Sequence, residues 1–383
     1  MNDLLVLHAV PDLRRCAGGI ASALPPLCAA LREEGVDSQI LASAMDEGDA
    51  PAACAKLLME RRSWRLPAQI RREVACRRAE AARSGRGLVL HSHGLWSWFN
   101  HALSAAAQSE RAPLVISPHG MLLPWARRHK AFRKTVAWRL YQARDLAGAG
   151  AVHVTSEAER DAAREAGVAC SLAVIPFGVE LAPANREAAL RSGSPGAERN
   201  LRTFLFLGRV HPVKNLATLV DAFADASPKD SRLRIVGPDE VGHRSELERL
   251  AALRKIADRA SFEDATFGEA KRRLFEESDV LILPSHSENY GAVVAEALAH
   301  GVPAIASTGT PWRVLEQERC GWWIGPDRQS LAEALREAAS RDFGELRAMG
   351  SRGRAYVEAK LTWRSCARQM ASLYRRLHWD GVR

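Results

Sequence analysis

Two glutamates eight positions apart are the side chains best placed to do chemistry in this sequence. Glu288 and Glu296 lie in SHSENYGAVVAEALAHGVP, directly after the apolar run DVLILP. The pattern predicts a strand, a short loop and a helix, with Glu288 at the start of the helix and Glu296 two turns inside it. In parallel α/β sheets, ligands bind at the carboxyl ends of the strands. Two carboxylates there predict a site for a ligand with many hydroxyl groups.

Two cations follow another predicted strand. Arg209 comes at the end of TFLFLGRV, and Lys214 lies five residues further on in GRVHPVKN. Positive charge at a strand end is suited to neutralising a pyrophosphate as it leaves, and in a site shielded from water this stabilisation is large. Taken alone, the pair is equally compatible with solvated surface cations.

Candidate ligand contacts also occur in the first half of the chain. Gly18 and Gly19 stand between the first predicted strand and a helix, where backbone amides can approach an anion. A plain tight turn explains the two glycines as well. His119 follows a strand in LVISPHG, between a proline and a glycine that favour an exposed turn. A purely structural role for this histidine stays open.

The elements that must position these residues alternate between strand and helix. Each half of the chain repeats apolar runs followed by helical patterns, which predicts stacked βαβ units around parallel sheets. A stretch rich in Ala, Pro, Gly, Ser and charge separates the halves and predicts a linker. The predicted domains are 1–180 and 201–362, the linker is 181–200, and a terminal helix covers 363–383.

Composition favours an ordinary cytoplasmic enzyme. A chain of 383 residues with 47% hydrophobic content is too long for one typical core and predicts two domains. Its seven cysteines are scattered without metal-ligand spacing, which favours a reducing compartment. The start, MNDLLVLHAV, lacks a basic leader, and no run approaches the roughly 20 apolar residues of a membrane span. We therefore expect a soluble protein, or one bound to a membrane surface.

The net charge of +9 raises the affinity of the chain for anionic partners. Basic residues crowd two stretches, and in the second Trp125, Phe132, Val136 and Leu140 recur at helical spacing. One interpretation is a solvated helix whose apolar stripe packs into its own domain. The other is an anionic membrane surface as partner, since each basic residue near such lipid contributes about 1 kcal/mol. Nucleic acid is disfavoured because no zinc-finger, RNP-like or homeodomain-like pattern occurs.

In order and spacing, five motifs resemble the retaining glycosyltransferases of family 4. They are GGI, SPHG, GRVHPVKN, VGP and SENYGAVVAEALAHGVPAIAST, and the resemblance runs from Leu4 to about Tyr374. It implies the α/β fold known as GT-B, in which two Rossmann-like domains with parallel sheets face each other across a cleft. The N-terminal domain would bind the acceptor and the C-terminal domain a nucleotide-sugar, with the last helix returning to the N-terminal domain.

The resemblance also implies residue roles. Arg209 and Lys214 would hold the donor diphosphate, Glu288 would touch the transferred sugar, and Glu296 would accept hydrogen bonds from the ribose. His119 would contact the donor sugar from the opposing domain. The remaining implied donor-binding residues are Gly19, Pro238, Asn289, Tyr290, Gly291, Ala292, Thr308, Gly309 and Thr310. The implied acceptor-binding residues are Gly18, His93, Trp96 and Met121.

The implied reaction is hexose transfer with same-face attack, in which the leaving phosphate helps to take the acceptor's proton. No protein base is then required, and Glu288 acts through position and charge. The sequence has no Asp-x-Asp pair to hold a divalent cation, so we expect a metal-independent enzyme without a cofactor. The co-substrate would be a UDP- or GDP-sugar. A carboxylate at Glu263 or Asp264 would suit guanine, or these are exposed turn residues.

The segments HSHGLW, SPHGMLLPWARRHK, GTPW and CGWW resemble transferases that assemble bacterial polysaccharides on lipid carriers. This implies a saccharide acceptor linked to undecaprenyl diphosphate, at the inner face of the plasma membrane. Tryptophans in the basic stretches, Trp64, Trp125 and Trp138, agree with docking, because tryptophan favours the headgroup zone.

Other interpretations stay open. A nucleotide-sugar epimerase or phosphorylase would keep the GT-B fold, although a phosphorylase would need a longer chain and a cofactor lysine. A non-catalytic protein would use its basic face on nucleic acid or membrane. Two groups of aromatic residues are divided between packing and sugar or acceptor contact. They are Trp312, Trp322 and Trp323, and then His91, His93, Trp96 and Trp98.

Overall fold

The computed structural model describes residues 3–14, 18–46, 55–57, 65–182, 201–226 and 230–382. It divides the chain into two compact units, Met1–Gly178 with Trp363–Arg383, and Val179–Thr362. The boundary follows Gly178 because the Val179 N–H donates to the Leu361 carbonyl over 2.8 Å, which ties this residue to the second unit. Of the predicted linker, only the first two residues are described. Trp64 lies outside the described residues.

The first unit contains a seven-stranded parallel sheet, in the order β3-β2-β1-β4-β5-β6-β7. Its strands are β1 Leu4–Val10, β2 Val36–Ala42, β3 Ala55–Leu57, β4 Gly87–His93, β5 Leu114–Ser117, β6 Ala151–Val154 and β7 Leu172–Val174. Its helices up to residue 178 are α1 Gly19–Glu33, α2 Leu66–Arg83, α3 Trp98–Ser109, α4 Pro124–Arg128, α5 Ala131–Ala137, α6 Ala143–Ala147 and α7 Glu157–Glu165.

Both faces of this sheet are buried, which is why β1 is apolar apart from His8. Leu5 and Leu7 pack on the side of α2 and α3. Leu4 and Val6 pack on the side of α1 and of the last helix, Trp363–Val382, whose Tyr374 is fully buried. The last helix therefore belongs to the first unit although it ends the chain.

The second unit contains a six-stranded parallel sheet, in the order β10-β9-β8-β11-β12-β13. Its strands are β8 Arg202–Leu207, β9 Ser231–Val236, β10 Ala260–Glu263, β11 Val280–Leu283, β12 Ala304–Ser307 and β13 Gly321–Ile324. Its helices are α8 Leu216–Ala226, α9 Arg244–Leu253, α10 Gly268–Glu276, α11 Ala292–Ala299, α12 Val314–Gln317, α13 Arg328–Ser340 and α14 Phe343–Lys360, and the last helix of the chain is α15.

The second basic stretch differs from the predicted helix. A left-handed residue, Lys130, separates α4 from α5, and a π-helical turn at Trp138–Gln142 leads into α6. The expectation that the apolar stripe packs into its own domain is wrong. Its residues stay on the surface with exposed fractions of 44%, 82%, 40% and 66%, for Trp125, Phe132, Val136 and Leu140. Among the helices described, none is both long and apolar enough to cross a bilayer.

Candidate functional site

The predicted donor residues of the second unit lie on loops that leave four adjacent strands, β9, β8, β11 and β12. Backbone hydrogen bonds join these loops. The His286 N–H donates to the Val213 carbonyl over 2.9 Å, and the Val210 N–H donates to the Pro238 carbonyl over 2.8 Å. The Glu288 N–H donates to the Gly309 carbonyl over 2.8 Å. The structure thus brings these predicted residues to one edge of the sheet.

An ion pair lies at the middle of this edge. Nζ of Lys214 donates to Oε2 of Glu288, which also accepts a hydrogen bond from the Ser285 hydroxyl over 3.3 Å. The two side chains are 11% and 19% exposed, so water screens them weakly. The pair holds a charged ammonium and a carboxylate in fixed positions before a ligand binds.

Two glycines allow the loops to close on each other. Gly291 begins α11 with a φ of 71°, and a Cβ there would lie 2.9 Å from Leu283 Cδ2. A Cβ on Gly309 would lie 2.4 Å from the Ser285 carbonyl oxygen. Glycine is required at both positions because a left-handed φ and a backbone approach this close exclude a side chain. The first backbone amides of α11 are therefore kept next to Glu288.

The remaining charged candidates also have partners. Glu296 on α11 accepts a hydrogen bond from Nζ of Lys271 over 2.7 Å. Arg209 donates to Glu240 over 2.8 Å, and half of its side chain is exposed. Lys271 and Glu240 were not among the predicted residues. Only their spacing within charged stretches could have indicated them, and such spacing is common on exposed helices.

In the first unit, a buried carboxylate holds the turn that carries His119. Oε1 of Glu159 accepts the Gly120 N–H over 2.5 Å, and Oε2 accepts the N–H and hydroxyl of Thr155 over 2.8 and 2.9 Å. His119 itself has a φ of 50° and is partly exposed. Glu159 was not predicted, since in SEAER it resembles an ordinary residue of a helix start. It fixes the turn that carries His119.

His119 is linked to a group of histidines beneath it. Its Nε2 lies 2.9 Å from Nδ1 of His93, whose Nε2 lies 3.0 Å from Nδ1 of His8. His91 and His153 complete the group, and the four beneath His119 are buried. Burial lowers the pKa of His8 and of His119 to about 3 and that of His153 to about 4. All five are therefore neutral near pH 7. His91 and His93 are core residues, as one of the open interpretations held.

The other predicted residues of the first unit surround these turns. A Cβ on Gly18 or Gly19 would meet no described heavy atom within 4 Å, which leaves room beside the start of α1. Sδ of Met121 accepts the Leu95 N–H over 3.1 Å. The Trp96 N–H donates to Gln142 over 2.8 Å.

Of the tryptophans left open, Trp312 proves to be a packing residue. Trp312 is 3% exposed and donates from its indole to the Tyr290 carbonyl over 2.6 Å. Trp322 and Trp323 lie half-buried on β13 rather than in a loop. Trp98, by contrast, is 56% exposed.

The carboxylates near the predicted nucleobase turn have protein partners. Glu263 binds Arg234 through two hydrogen bonds of 2.8 and 2.7 Å, and this guanidinium holds the pKa of Glu263 below its usual range. Asp264 pairs with Arg244 over 2.9 Å, and its side chain is 92% exposed. Glu263 lies on β10 and stabilises that strand, so it does not present a free carboxylate.

Comparison with known families identifies the class of protein. Residues 18–178 match the family described as glycosyl transferase 4-like domain, and residues 201–341 match glycosyl transferases group 1. Together the two matches span most of the chain. The chain belongs to the group 1 glycosyltransferases and has the GT-B fold, as the motifs implied.

Particular relatives are also similar. The D-inositol 3-phosphate glycosyltransferase of Geodermatophilus obscurus is 32% identical over 196 residues, which cover 48% of this chain and 43% of the relative. The enzyme with the same name from Streptomyces avermitilis is 30% identical over 309 residues, covering 75% and 64%. In several of these curated relatives the matched region spans about half of the length.

Two solved structures share the fold over nearly the whole chain. Sucrose-phosphate synthase from Thermosynechococcus elongatus has a TM-score of 0.74 at 22% identity, covering 98% of this chain and 100% of the other. Anabaena HepE in complex with UDP and glucose has a TM-score of 0.75 at 17% identity, covering 97% and 100%.

Proposed function

We propose that this protein transfers a hexose from a nucleotide-sugar to a saccharide acceptor, with retention of configuration. The observation that carries the proposal is the Lys214–Glu288 ion pair at the ends of the central strands of the second unit. A diphosphate needs fixed positive charge, and a sugar needs fixed hydrogen-bond acceptors. Both are present within one pair of side chains, beside the backbone amides that begin α11.

In the proposed reaction, the bond between the anomeric carbon and the donor phosphate oxygen breaks while the acceptor oxygen bonds to the same face. The departing phosphate takes the acceptor's proton, so no protein base is needed. Lys214 and Arg209 stabilise the growing negative charge on the diphosphate, which requires Arg209 to exchange Glu240 for phosphate. Glu288 orients Lys214 and stabilises the positive charge that develops on the sugar.

We propose a UDP-sugar as donor. A carboxylate at this turn would suit the two N–H donors of guanine, whereas Glu263 is already bound twice by Arg234. Anabaena HepE, which shares the fold, has been solved with UDP-glucose. Glu296 is the proposed acceptor of ribose hydrogen bonds, and it would then leave Lys271 or share it.

We further propose that transfer needs no divalent cation and no cofactor. The charged groups among the predicted donor residues are two cations and two glutamates, and each glutamate is bound to a lysine. A carboxylate that is held by a lysine is a poor ligand for a magnesium ion. Arg209 and Lys214 would neutralise the diphosphate in place of a metal ion.

The proposed acceptor is a lipid-linked saccharide of cell-surface polysaccharide biosynthesis, at the cytoplasmic face of the plasma membrane. The support is the surface segment formed by α4, α5 and the π-helical turn. It presents Phe132 and Leu140, exposed to 82% and 66%, among five exposed basic residues. These residues are Arg127, Arg128, Lys130, Arg133 and Arg139. Apolar groups surrounded by positive charge suit an anionic lipid surface.

Ligand-dependent melting of the purified protein tests the proposal. UDP, GDP, ADP and their common sugar conjugates are added in EDTA, since a ligand that binds only the folded state raises the melting temperature. We expect a shift with UDP and a UDP-sugar, a much smaller shift in Glu296→Ala, and a normal shift in Lys360→Ala, which removes an exposed lysine. Absence of any nucleotide shift in the parent protein contradicts the proposal.

Product analysis then separates transfer from related reactions. The protein is incubated with the UDP-sugar that binds and with membrane extracts that supply lipid-linked saccharide. Transfer of labelled sugar to lipid supports the proposal. Conversion of the sugar without transfer would indicate an epimerase, and binding without turnover would indicate a non-catalytic protein.

A further inference from the structure

Two rows of hydrogen-bonded side chains cross one face of the sheet in the first unit. His8 on β1 lies opposite His91 on β4, and His93 lies opposite Ser117 on β5. His153 on β6 extends the set on the same face. All of these side chains are at most 1% exposed, so their hydrogen bonds are made with each other and with neighbouring protein groups.

The first row has one possible direction. Nε2 of His153 lies 2.8 Å from the carbonyl oxygen of Ile175, which only accepts, so His153 donates there and its Nδ1 accepts from Ser117 over 2.7 Å. The Ser117 oxygen then accepts from Nε2 of His91, also over 2.7 Å. Nδ1 of His91 finally accepts the hydroxyl proton of Tyr374 over 2.7 Å. A backbone carbonyl therefore sets the proton position on each member.

The second row runs from His119 through His93 to His8 and has two possible directions. If protons occupy Nε2 of each ring, His8 buries an N–H group with no partner among the described residues. If protons occupy Nδ1 of each ring, His8 buries only an unpaired lone pair. Buried N–H groups without partners are rarer and more costly than under-satisfied acceptors. The second arrangement is therefore the stable one.

We propose that His8 and His93 are positioning residues that hold His119 with its proton on Nδ1, so that His119 donates a hydrogen bond to the ligand and does not accept a proton. Nε2 of His119 is occupied by His93, whereas Nδ1 has no partner among the described residues. That this ligand is a sugar rests on the proposed function. The proton position does not.

The alternative use of this cluster is a metal site, because His8, His91 and His93 offer nitrogen atoms within 4.8 Å of one another. Both nitrogens of His91 and both of His93 already lie at hydrogen-bond distance from other groups. A metal would have to break these bonds. Hydrogen bonding accounts for the cluster without breaking the bonds of His91 and His93.

Nuclear magnetic resonance of the full chain labelled with ¹⁵N-histidine tests the proposal. Two-bond proton–nitrogen correlations distinguish the two neutral forms of each ring, and single substitutions assign the signals. We expect Nδ1–H in His8, His93 and His119, and Nε2–H in His91 and His153. An Nε2–H form of His119 in the parent protein overturns the proposal, as does a stoichiometric metal ion that EDTA fails to remove.

Two variants of His93 separate positioning from packing. The amide of His93→Asn can still donate to Nε2 of His119, whereas the ionised carboxylate of His93→Asp can only accept from it. We expect His119 to keep Nδ1–H in the first variant and to change to Nε2–H in the second, with kcat lowered roughly tenfold or more in the second and by less in the first. An unchanged His119 in His93→Asp overturns the proposal. If that variant does not fold, the parent spectrum still decides the proton position.

The two proposals fail separately. The spectra do not depend on transferase activity. The expected ring forms in a protein that binds no UDP-sugar would refute the proposed function and leave the positioning role standing.

Discussion

Lys214 and Glu288, which come from the loops after β8 and β11, form an ion pair that is largely shielded from solvent. Neither loop alone would hold its charge in place. Each side chain is positioned by the other, and the Glu288 backbone is positioned in turn by Gly309. A shielded charge that loses its partner is strongly disfavoured. The two residues are therefore expected to act as one unit in function.

The first prediction concerns this unit. Lys214→Ala and Glu288→Gln should each lower kcat by about 10²- to 10³-fold with a smaller change in KM, because the lost charge acts mainly on the transition state. The double variant should lose little more than either single variant, since coupled residues are not additive. Steady-state kinetics with the UDP-sugar measures this, with Lys360→Ala as control. A loss of kcat in the double variant equal to the product of the two single losses would contradict the coupling.

The second prediction concerns Glu296. Glu296→Ala should raise the Kd for the donor roughly 10- to 100-fold with little change in kcat, because hydrogen bonds to a charged group contribute about 1.5–3 kcal/mol. Lys271→Ala should change the Kd less, since it leaves the carboxylate in place. Titration calorimetry with UDP measures the Kd of each of the two variants. Equal effects on kcat from Glu296→Ala and Lys214→Ala would contradict the separate roles.

The third prediction compares two glycines. Gly309→Ala should lower stability by about 1–3 kcal/mol and weaken donor binding, because its Cβ meets the carbonyl oxygens of Ser285 and His286 at 2.4 and 2.5 Å. Gly19→Ala should leave stability unchanged because its Cβ meets no described atom within 4 Å. Urea unfolding compares the two. A Gly309→Ala protein as stable as the parent would show that the loops move apart easily.

These glycines illustrate what sequence analysis reaches. Both were predicted as ligand contacts from the order of motifs, and the two parallel sheets followed from alternating strands and helices. β2 was not predicted, because Asp37 and Gln39 interrupt its apolar pattern and only one side of that strand is continuously buried. The sequence indicates a turn at Glu263, whereas the structure has strand β10 there. Arg234 on the neighbouring strand, rather than the local sequence, stabilises Glu263 in this strand.

The histidine rows were beyond sequence analysis for a related reason. His8, His91 and His153 are spread over 146 residues of chain and meet only through strand register. Each stands in an apolar strand, where a single histidine carries no signal. The partners of Glu296 and Arg209 were not predicted for the same reason. Lys271 and Glu240 lie on neighbouring elements and meet them only in the folded chain.

The fourth prediction is loss of stability in acid. Unfolded histidines bind a proton near pH 6.5, whereas in the folded protein the pKa of His8 is about 3 and that of His153 is about 4. Between these values the unfolded state holds more protons, so stability is fully present above pH 6.5 and falls as pH decreases. Each such group adds about 1.4 kcal/mol per pH unit to the slope of the free energy of unfolding against pH.

Urea unfolding at several pH values between 7.5 and 5 measures this slope. His153→Gln keeps a donor for the Ile175 carbonyl and removes one titrating group, so its slope should be shallower by about one proton. A slope that stays the same in His153→Gln would show that His153 is protonated in the folded protein or that another group dominates.

The fifth prediction concerns the surface segment with exposed Phe132 and Leu140. The full chain should bind vesicles that contain phosphatidylglycerol and should bind phosphatidylcholine vesicles weakly, because five basic residues accompany the apolar groups. Added salt should weaken binding, since it screens exposed charges. Replacing Phe132 and Leu140 together by serine should lower vesicle affinity by about tenfold or more, because these side chains would insert between lipid headgroups.

A matched control comes from the second unit. Leu253 is 79% exposed at the end of α9, and Leu253→Ser removes a comparable apolar side chain. Co-sedimentation should show normal vesicle binding for this variant. If both variants bind equally well, lipid binding does not use this segment. If the double serine variant loses vesicle binding but keeps its melting shift with UDP, membrane docking and donor binding belong to different surfaces of the same enzyme.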